Sequence, residues 1–257
     1  MARARVNAID IVYEESGRGP AVLLTHGYSA TGHMWAGQHK ALADRYRVIS
    51  WDIRGHGQTD SPDDPAQYSA DLTIADMRGL LQHLGFERAV VGGLSLGGYV
   101  SLAFYLAHPE MVRALVICDS GPGYRNDQAR SDWNRRAFER ASELETRGLE
   151  SLHGRSREQR EAATRHRSAQ RLAHAARGML AQSGSHVIDG LPTIRVPTLI
   201  IVGDQDQPFL APSEYMAKKI PGAKLAVIPG AGHSSNLDQP ETFNRVLLEF
   251  LDGLPAD

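Results

Sequence analysis

The chain has 257 residues, 42% of them hydrophobic and 23% charged, which suits one sizeable globular domain, with or without an insertion, and a large buried core. A formal net charge of −2 gives no global pull toward nucleic acid or a membrane surface, and a single cysteine, Cys118, excludes a disulfide framework within the chain and a cysteine-based zinc site. No apolar run approaches the ~18 residues of a membrane span, and Met1 to Asp10 lacks the apolar stretch of a signal peptide, so the expectation is a soluble cytoplasmic protein.

Taken in order, Val6 to Glu14 alternates loosely and predicts an opening strand or hairpin. Pro20 to Thr25 is a short apolar run that stops at His26-Gly27 and reads as a buried strand. Met34 to Leu42 suits a helix. Tyr46 to Trp51 is another buried strand, ending in Asp52-Ile53-Arg54-Gly55-His56-Gly57. Leu72 to Leu84 has helical spacing and stops at Gly85. Ala89 to Val91 then meets Gly92-Gly93-Leu94-Ser95-Leu96-Gly97-Gly98, a strand entering a tight turn, and a helical pattern follows from Tyr99 to Ala107. Val112 to Cys118 is a further buried strand, with Cys118 a core residue.

Between Gly121 and about Pro192 the strands vanish and arginine and glutamate crowd among scattered apolar residues, which predicts an insertion of amphipathic helices. Its charge run, Arg155 to Arg171, reads as a solvated helical face, because acids are interleaved and aromatics are missing. After Pro197 the earlier pattern resumes: a strand over Thr198 to Val202, a helix over Pro212 to Ile220, a last strand over Lys224 to Ile228 and a closing helix over Glu241 to Leu251. This alternation implies an α/β fold: a mostly parallel central β-sheet flanked by helices on both faces. Residues 1–120 and 193–257 form the core domain, and residues 121–192 the helical insertion.

His26, Asp52, Ser95, Asp119, Asp206 and His233 all follow strand ends, the side of such a sheet where ligands bind. Gly93-Leu94-Ser95-Leu96-Gly97 fits the G-x-S-x-G nucleophile elbow, whose glycines let strand and helix pass closely beneath a strained serine. Its glycine spacing fits neither phosphate-loop pattern. A serine hydroxyl needs a base, and the base an orienting acid. Of eleven histidines, His233, in the Gly-Ala-Gly-His turn after the last strand, suits the base. Three acids compete to orient it. Asp206 is preferred, Asp204 suits a turn residue bonded to its own loop backbone, and Asp119 ends a neighbouring strand from which the same acid could be supplied. The order Ser95, Asp206, His233 is that of one of the recurring triad arrangements.

From about Val12 to Leu251 the sequence resembles the α/β-hydrolase superfamily. The carriers are His26-Gly27-Tyr28, Asp52-x-Arg54-Gly55-His56-Gly57, Gly93-x-Ser95-x-Gly97, Gly203-x-x-Asp206 and Gly232-His233. The resemblance implies an α/β-hydrolase fold with a helical cap over 121–192, and an oxyanion hole made by the backbone N–H groups of Tyr28 and Leu96. It leaves His26 and His56 as structural loop residues and Arg54 as a tie between loops. A serine nucleophile sets the chain apart from the aspartate-dependent dehalogenase and epoxide-hydrolase branches. The expected function is a serine hydrolase that cleaves small to medium, uncharged carboxylic esters or lactones through an acyl-enzyme on Ser95. The alternatives are a C–C bond hydrolase of ring-cleavage diketones and a catalytically silent ligand-binding protein. Small-molecule ester or lactone substrates are the expected partners, with no nucleic acid, no membrane, no cofactor and no metal. Monomer and homo-oligomer both stay open. Tyr124, Trp133, Phe138 and Phe209 suit either a pocket lining or core packing.

Overall fold

Runs of aliphatic and β-branched residues build the centre of the molecule. The computed structural model describes residues 1–255. Among them, eight strands form one sheet: β1 (Ala2–Val6), β2 (Ile9–Ser16), β3 (Ala21–Thr25), β4 (Arg47–Trp51), β5 (Ala89–Leu94), β6 (Val112–Cys118), β7 (Thr198–Gly203) and β8 (Lys224–Ile228). The spatial order is β1-β2-β4-β3-β5-β6-β7-β8. From β4 to β8 the strands pair in parallel, and β1 and β2 are added antiparallel at one edge. Every residue of β3, β5 and β7 is buried, as expected of parallel strands covered on both faces.

Successive residues of one strand serve opposite faces. Leu23, Val91, Leu115 and Ile117 join one core cluster, while Val22, Leu24, Val90 and Val116 join the other. The first cluster contains residues of α2 (Ala70–His83) and α3 (Leu96–Ala107), and the second contains Leu42 of α1 (Ala36–Leu42). Between β6 and β7 the chain forms α4 (Asp127–Arg147), α5 (Arg157–Ala162), α6 (Ala169–Ala175) and α7 (His186–Gly190), with short 3-10 and π turns and no strand. Then come α8 (Gln207–Lys219), α9 (Ser235–Asp238) and α10 (Pro240–Asp252). Phe243, Leu247, Phe250 and Leu251 of α10 pack into the second cluster.

The path from β3 to β4 runs one way along the sheet, and β5 returns to the other side of β3. That reversal opens a crevice above the carboxyl ends of β3 and β5, where such sheets bind ligands. The loop after β3 holds Tyr28, and the turn after β5 holds Ser95.

The structure corrects three local expectations. Helix α8 begins at Gln207, not Pro212: Pro208 takes the first turn, where no amide bond is lost, and Pro212 lies inside the helix. Strand β8 is an edge strand, and its Leu225 and Val227 are 37% and 48% exposed, so the helical layers do not cover that end. The charge run Arg155 to Arg171 is not simply solvated. Glu158, Gln159, Ala162 and His166 are buried, because this part of the insertion lies over loops of the core and bonds to them.

Candidate active site

Ser95 sits at φ 54°, ψ −114°, between β5 and α3, a backbone conformation that costs a non-glycine residue energy. Its amide donates to Cys118 O at 2.9 Å, and its carbonyl accepts from Ser120 Oγ at 2.7 Å, so neighbouring β6 and its following loop hold the strain in place. A Cβ on Gly93 would come within 2.6 Å of the Gly97 backbone, and one on Gly97 would collide with Thr25 O. The two glycines are therefore required by the close passage of strand and helix. Helix α3 starts at Leu96, directly after the serine, with its first amides free of helical acceptors.

His233 follows β8 in the loop before α9. Its Nδ1 lies 2.8 Å from Asp206 Oδ2, and Asp206, at the start of α8, is 5% exposed. The Phe209 ring stacks on the imidazole at 5.0 Å between centroids. Burial pulls the imidazole pKa down. The hydrogen bond and charge of Asp206, with the charges of Glu158 and Asp119, outweigh that and hold it above the ordinary histidine value. Ser95, Asp206 and His233 line one cleft. Among the described residues Ser95 Oγ makes no hydrogen bond to His233. Such bonds are commonly long without substrate.

The competing acids have other partners. Asp119 accepts from the Gly203 amide at 2.9 Å and from the Ser235 hydroxyl, so it braces β7 and α9, and burial pushes its carboxyl up to about 7. Asp204 accepts from the Gly230 amide at 2.8 Å, capping the neighbouring loop instead of its own. Asp52 accepts from the Gly32 and Gln58 amides. His26 accepts from Ile53 N and bonds through Nδ1 to Gly27 O; burial lowers its pKa to about 4, which keeps it neutral. Arg54 and Asp76 form a bidentate ion pair at 2.8 and 2.9 Å with both side chains fully buried, joining the loop after β4 to α2.

The loop that carries Tyr28 is clamped by the helical insertion. Tyr28 Oη donates to Leu172 O at 2.8 Å, Gln159 Nε2 donates to Tyr28 O at 2.9 Å, and His166 Nε2 lies 2.9 Å from Ser29 O. Because His166 Nδ1 accepts from Gly57 N, its Nε2 carries the proton and donates to Ser29 O. The Tyr28 amide itself donates to no protein group among the described residues. The Leu96 amide, at the first position of α3, likewise has no acceptor among the described residues, and Tyr28 and Leu96 each line a cavity that contains Ser95.

Two cavities meet at Ser95. A narrow one of about 60 Å³ is walled by Leu96, Tyr99, Tyr124, Trp133, Leu180 and Phe209. A wider one of about 440 Å³ holds His233 and is roofed by Arg136, Arg140, Arg155 and Glu158 of the insertion. Tyr124, Trp133 and Phe209 thus line the site, whereas Phe138 is 42% exposed on the outer face, beneath Arg177. The sequence reading missed the arginines and Glu158, because their pattern is that of any charged helix. Among the described residues no group of three or more His, Cys, Asp or Glu side chains is arranged to hold a metal ion.

A sheet of this order with a strained serine after its fifth strand and a histidine–aspartate pair beyond its last strands defines a hydrolase architecture. The chain belongs to the alpha/beta hydrolase fold family, whose model matches residues 20–240. It is similar over 99% of its length to a thermophilic esterase from Thermogutta terrifontis, 29% identical with a TM-score of 0.85 over 99% of that chain. An enol-lactonase from Burkholderia xenovorans LB400 is 25% identical with a TM-score of 0.84, over 98% of this chain and 100% of its own. A meta-cleavage product hydrolase from Pseudomonas fluorescens IP01 is 26% identical with a TM-score of 0.75, over 98% and 97%.

Proposed function

We propose that the protein is a serine hydrolase of carboxylic esters or lactones. Ser95 is the nucleophile, His233 the general base and acid, Asp206 its orienting partner, and the Tyr28 and Leu96 amides the oxyanion donors. The observation that carries this reading is the strained Ser95 in the same cleft as an imidazole fixed through Nδ1 by Asp206. With Nδ1–H donated to Asp206, Nε2 is left as the acceptor that a base requires.

Ser95 Oγ adds to the carbonyl carbon as His233 Nε2 takes its proton. The resulting oxyanion lies between the two amides, each of which is worth roughly 3–4 kcal/mol in the transition state. His233 then protonates the leaving alkoxide as the C–O bond breaks, giving an alcohol and an acyl-enzyme. Water repeats the addition with its proton passing to His233, and the acid leaves with Ser95 restored. Residues 121–192 act as a cap on the core formed by 1–120 and 193–255, closing the cleft and supplying its specificity; the last two residues of the expected core span lie outside the described residues.

A second reading is favoured by the resemblance to the meta-cleavage product hydrolase: the same serine machinery attacking a ketone, with a carbon leaving group to be protonated. The test is turnover of p-nitrophenyl esters from acetate to long acyl chains, with fluorophosphonate labelling, in the intact protein beside Ser95→Ala. Turnover and labelling that both vanish in Ser95→Ala support the ester reading. Labelling with turnover only of vinylogous diketones selects the C–C reading. Absence of labelling and of turnover leaves a ligand-binding protein.

A further inference from the structure

The wider cavity beside Ser95 carries more cations than acids on its walls. Arg136 and Arg140 of α4 and Arg155 line it, against Glu158 and Asp206. Both acids are engaged. Asp206 bonds His233, while Glu158 accepts from the hydroxyls of Ser156 and Ser234. Arg155 is paired with Glu143. Arg140 is half-buried and makes no hydrogen bond or ion pair among the described residues. Burial and the charge of Arg155 lower its pKa, and the charges of Tyr28, Glu143 and Glu158 offset this only in part.

A guanidinium stays charged in any such setting, and taking it from water unpaired is costly. Its planar fork matches a carboxylate in two parallel bonds. The narrow cavity that also opens on Ser95 offers no charged side chain; its walls are mainly aromatic and aliphatic, with Ser120 and Gln182 the polar side chains beside Ser95.

We propose that Arg140, with Arg155 beside it and Arg136 at the lip, forms a carboxylate subsite. The substrate is then an ester or lactone with an apolar arm in the narrow cavity and a carboxylate arm under the cap. This rests on the serine hydrolase reading and replaces the uncharged substrate expected from the sequence. Arg140 sets specificity; it takes no part in bond making.

The test uses matched pairs: mono-p-nitrophenyl glutarate against p-nitrophenyl valerate for a carboxylate on the acyl arm, and 4-acetoxybenzoate against phenyl acetate for one on the alcohol arm. In the wild-type protein kcat/KM favours the anionic member of at least one pair. In Arg140→Gln that preference falls by about 10- to 100-fold, chiefly through KM, as expected for loss of a charged hydrogen bond. Arg140→Lys restores part of it, since it keeps the charge but not the fork. A second measurement needs no variant: glutarate competes with the neutral ester, and valeramide does not.

Ser95-dependent turnover with no anionic preference and no competition by glutarate overturns the subsite and leaves the hydrolase reading standing. If no ester is turned over, the underlying reading fails. Calorimetric titration of glutarate into Ser95→Ala then decides the subsite separately. Binding lost on adding Arg140→Gln upholds it, and absent or unchanged binding overturns it.

Discussion

The floor of the cleft holds its chemical groups by backbone, whereas the roof holds its groups by side chains. Below, Ser95, Asp119, Asp206 and His233 each stand in a loop or turn that follows a parallel strand, and sheet register limits where they can go. Above, Arg140, Arg155, Glu158 and Gln159 project from helices and turns; side-chain partners hold Arg155 and Glu158, the Tyr28 carbonyl holds Gln159, and Arg140 has no such partner among the described residues. The floor is suited to fixed chemistry, and the roof to selectivity. Lesions in the floor should therefore cost rate or folding, and lesions in the roof should cost less and act on particular substrates or on one loop.

The largest effect expected is in the floor. Asp206→Asn leaves the fold intact but removes the charge that favours the imidazolium and disturbs the tautomer of His233, so kcat falls by about 10⁴-fold. Its pH profile gives the sharper readout. In the proposed reaction His233 must be neutral to accept the Ser95 proton, and its pKa is raised, so the acid limb of kcat/KM lies above the ordinary histidine value in the wild type. Without Asp206 burial prevails and the limb moves to lower pH. A limb that stays in place would remove Asp206 as the partner.

Next is the buried Arg54–Asp76 pair beneath the floor. Asp76→Ala strands a fully buried guanidinium and lowers unfolding free energy by about 3–5 kcal/mol, read by urea denaturation. A loss under 1 kcal/mol would mean that water or another acceptor reaches Arg54.

The roof enters where it clamps the floor. Gln159→Ala frees the Tyr28 carbonyl from its cap donor and lowers kcat by about 10-fold for charged and neutral esters alike, the scale of one hydrogen bond of ~1.4 kcal/mol. An effect confined to one ester would assign Gln159 to substrate contact instead. The smallest effect is none at all: every step of the proposed reaction is carried by protein groups and water, so dialysis against a chelator should leave turnover within error. Loss restored by a divalent ion would break the scheme.

The same contrast explains what the sequence disclosed. Gly93 and Gly97 announce Ser95 because backbone collisions forbid any other residue, and the apolar strands fix the address of Asp206 and His233. Asp119, which ends a neighbouring strand, stayed a competitor to the preferred Asp206 in one dimension; only the loop geometry shows that it braces Gly203 and Ser235. Arg140 carried no signal, because an arginine on an amphipathic helix reads the same whether it faces water or a cleft. Pro212 misled about the start of α8 for a related reason: proline favours a first turn, but an interior site can tolerate it where packing compensates.

The clamp on Tyr28 and Ser29 bears on how such a protein can be re-engineered. A lid joined to its base only by hydrophobic contact could be exchanged between homologues as an independent module. Here Leu172, Gln159 and His166 hold the loop whose Tyr28 amide is the proposed oxyanion donor. A chimera with a foreign lid inherits a loosened amide at residue 28 and loses speed on every substrate, whatever pocket it gains. Grafts that keep these three positions and vary the face around Arg140 should change selectivity alone.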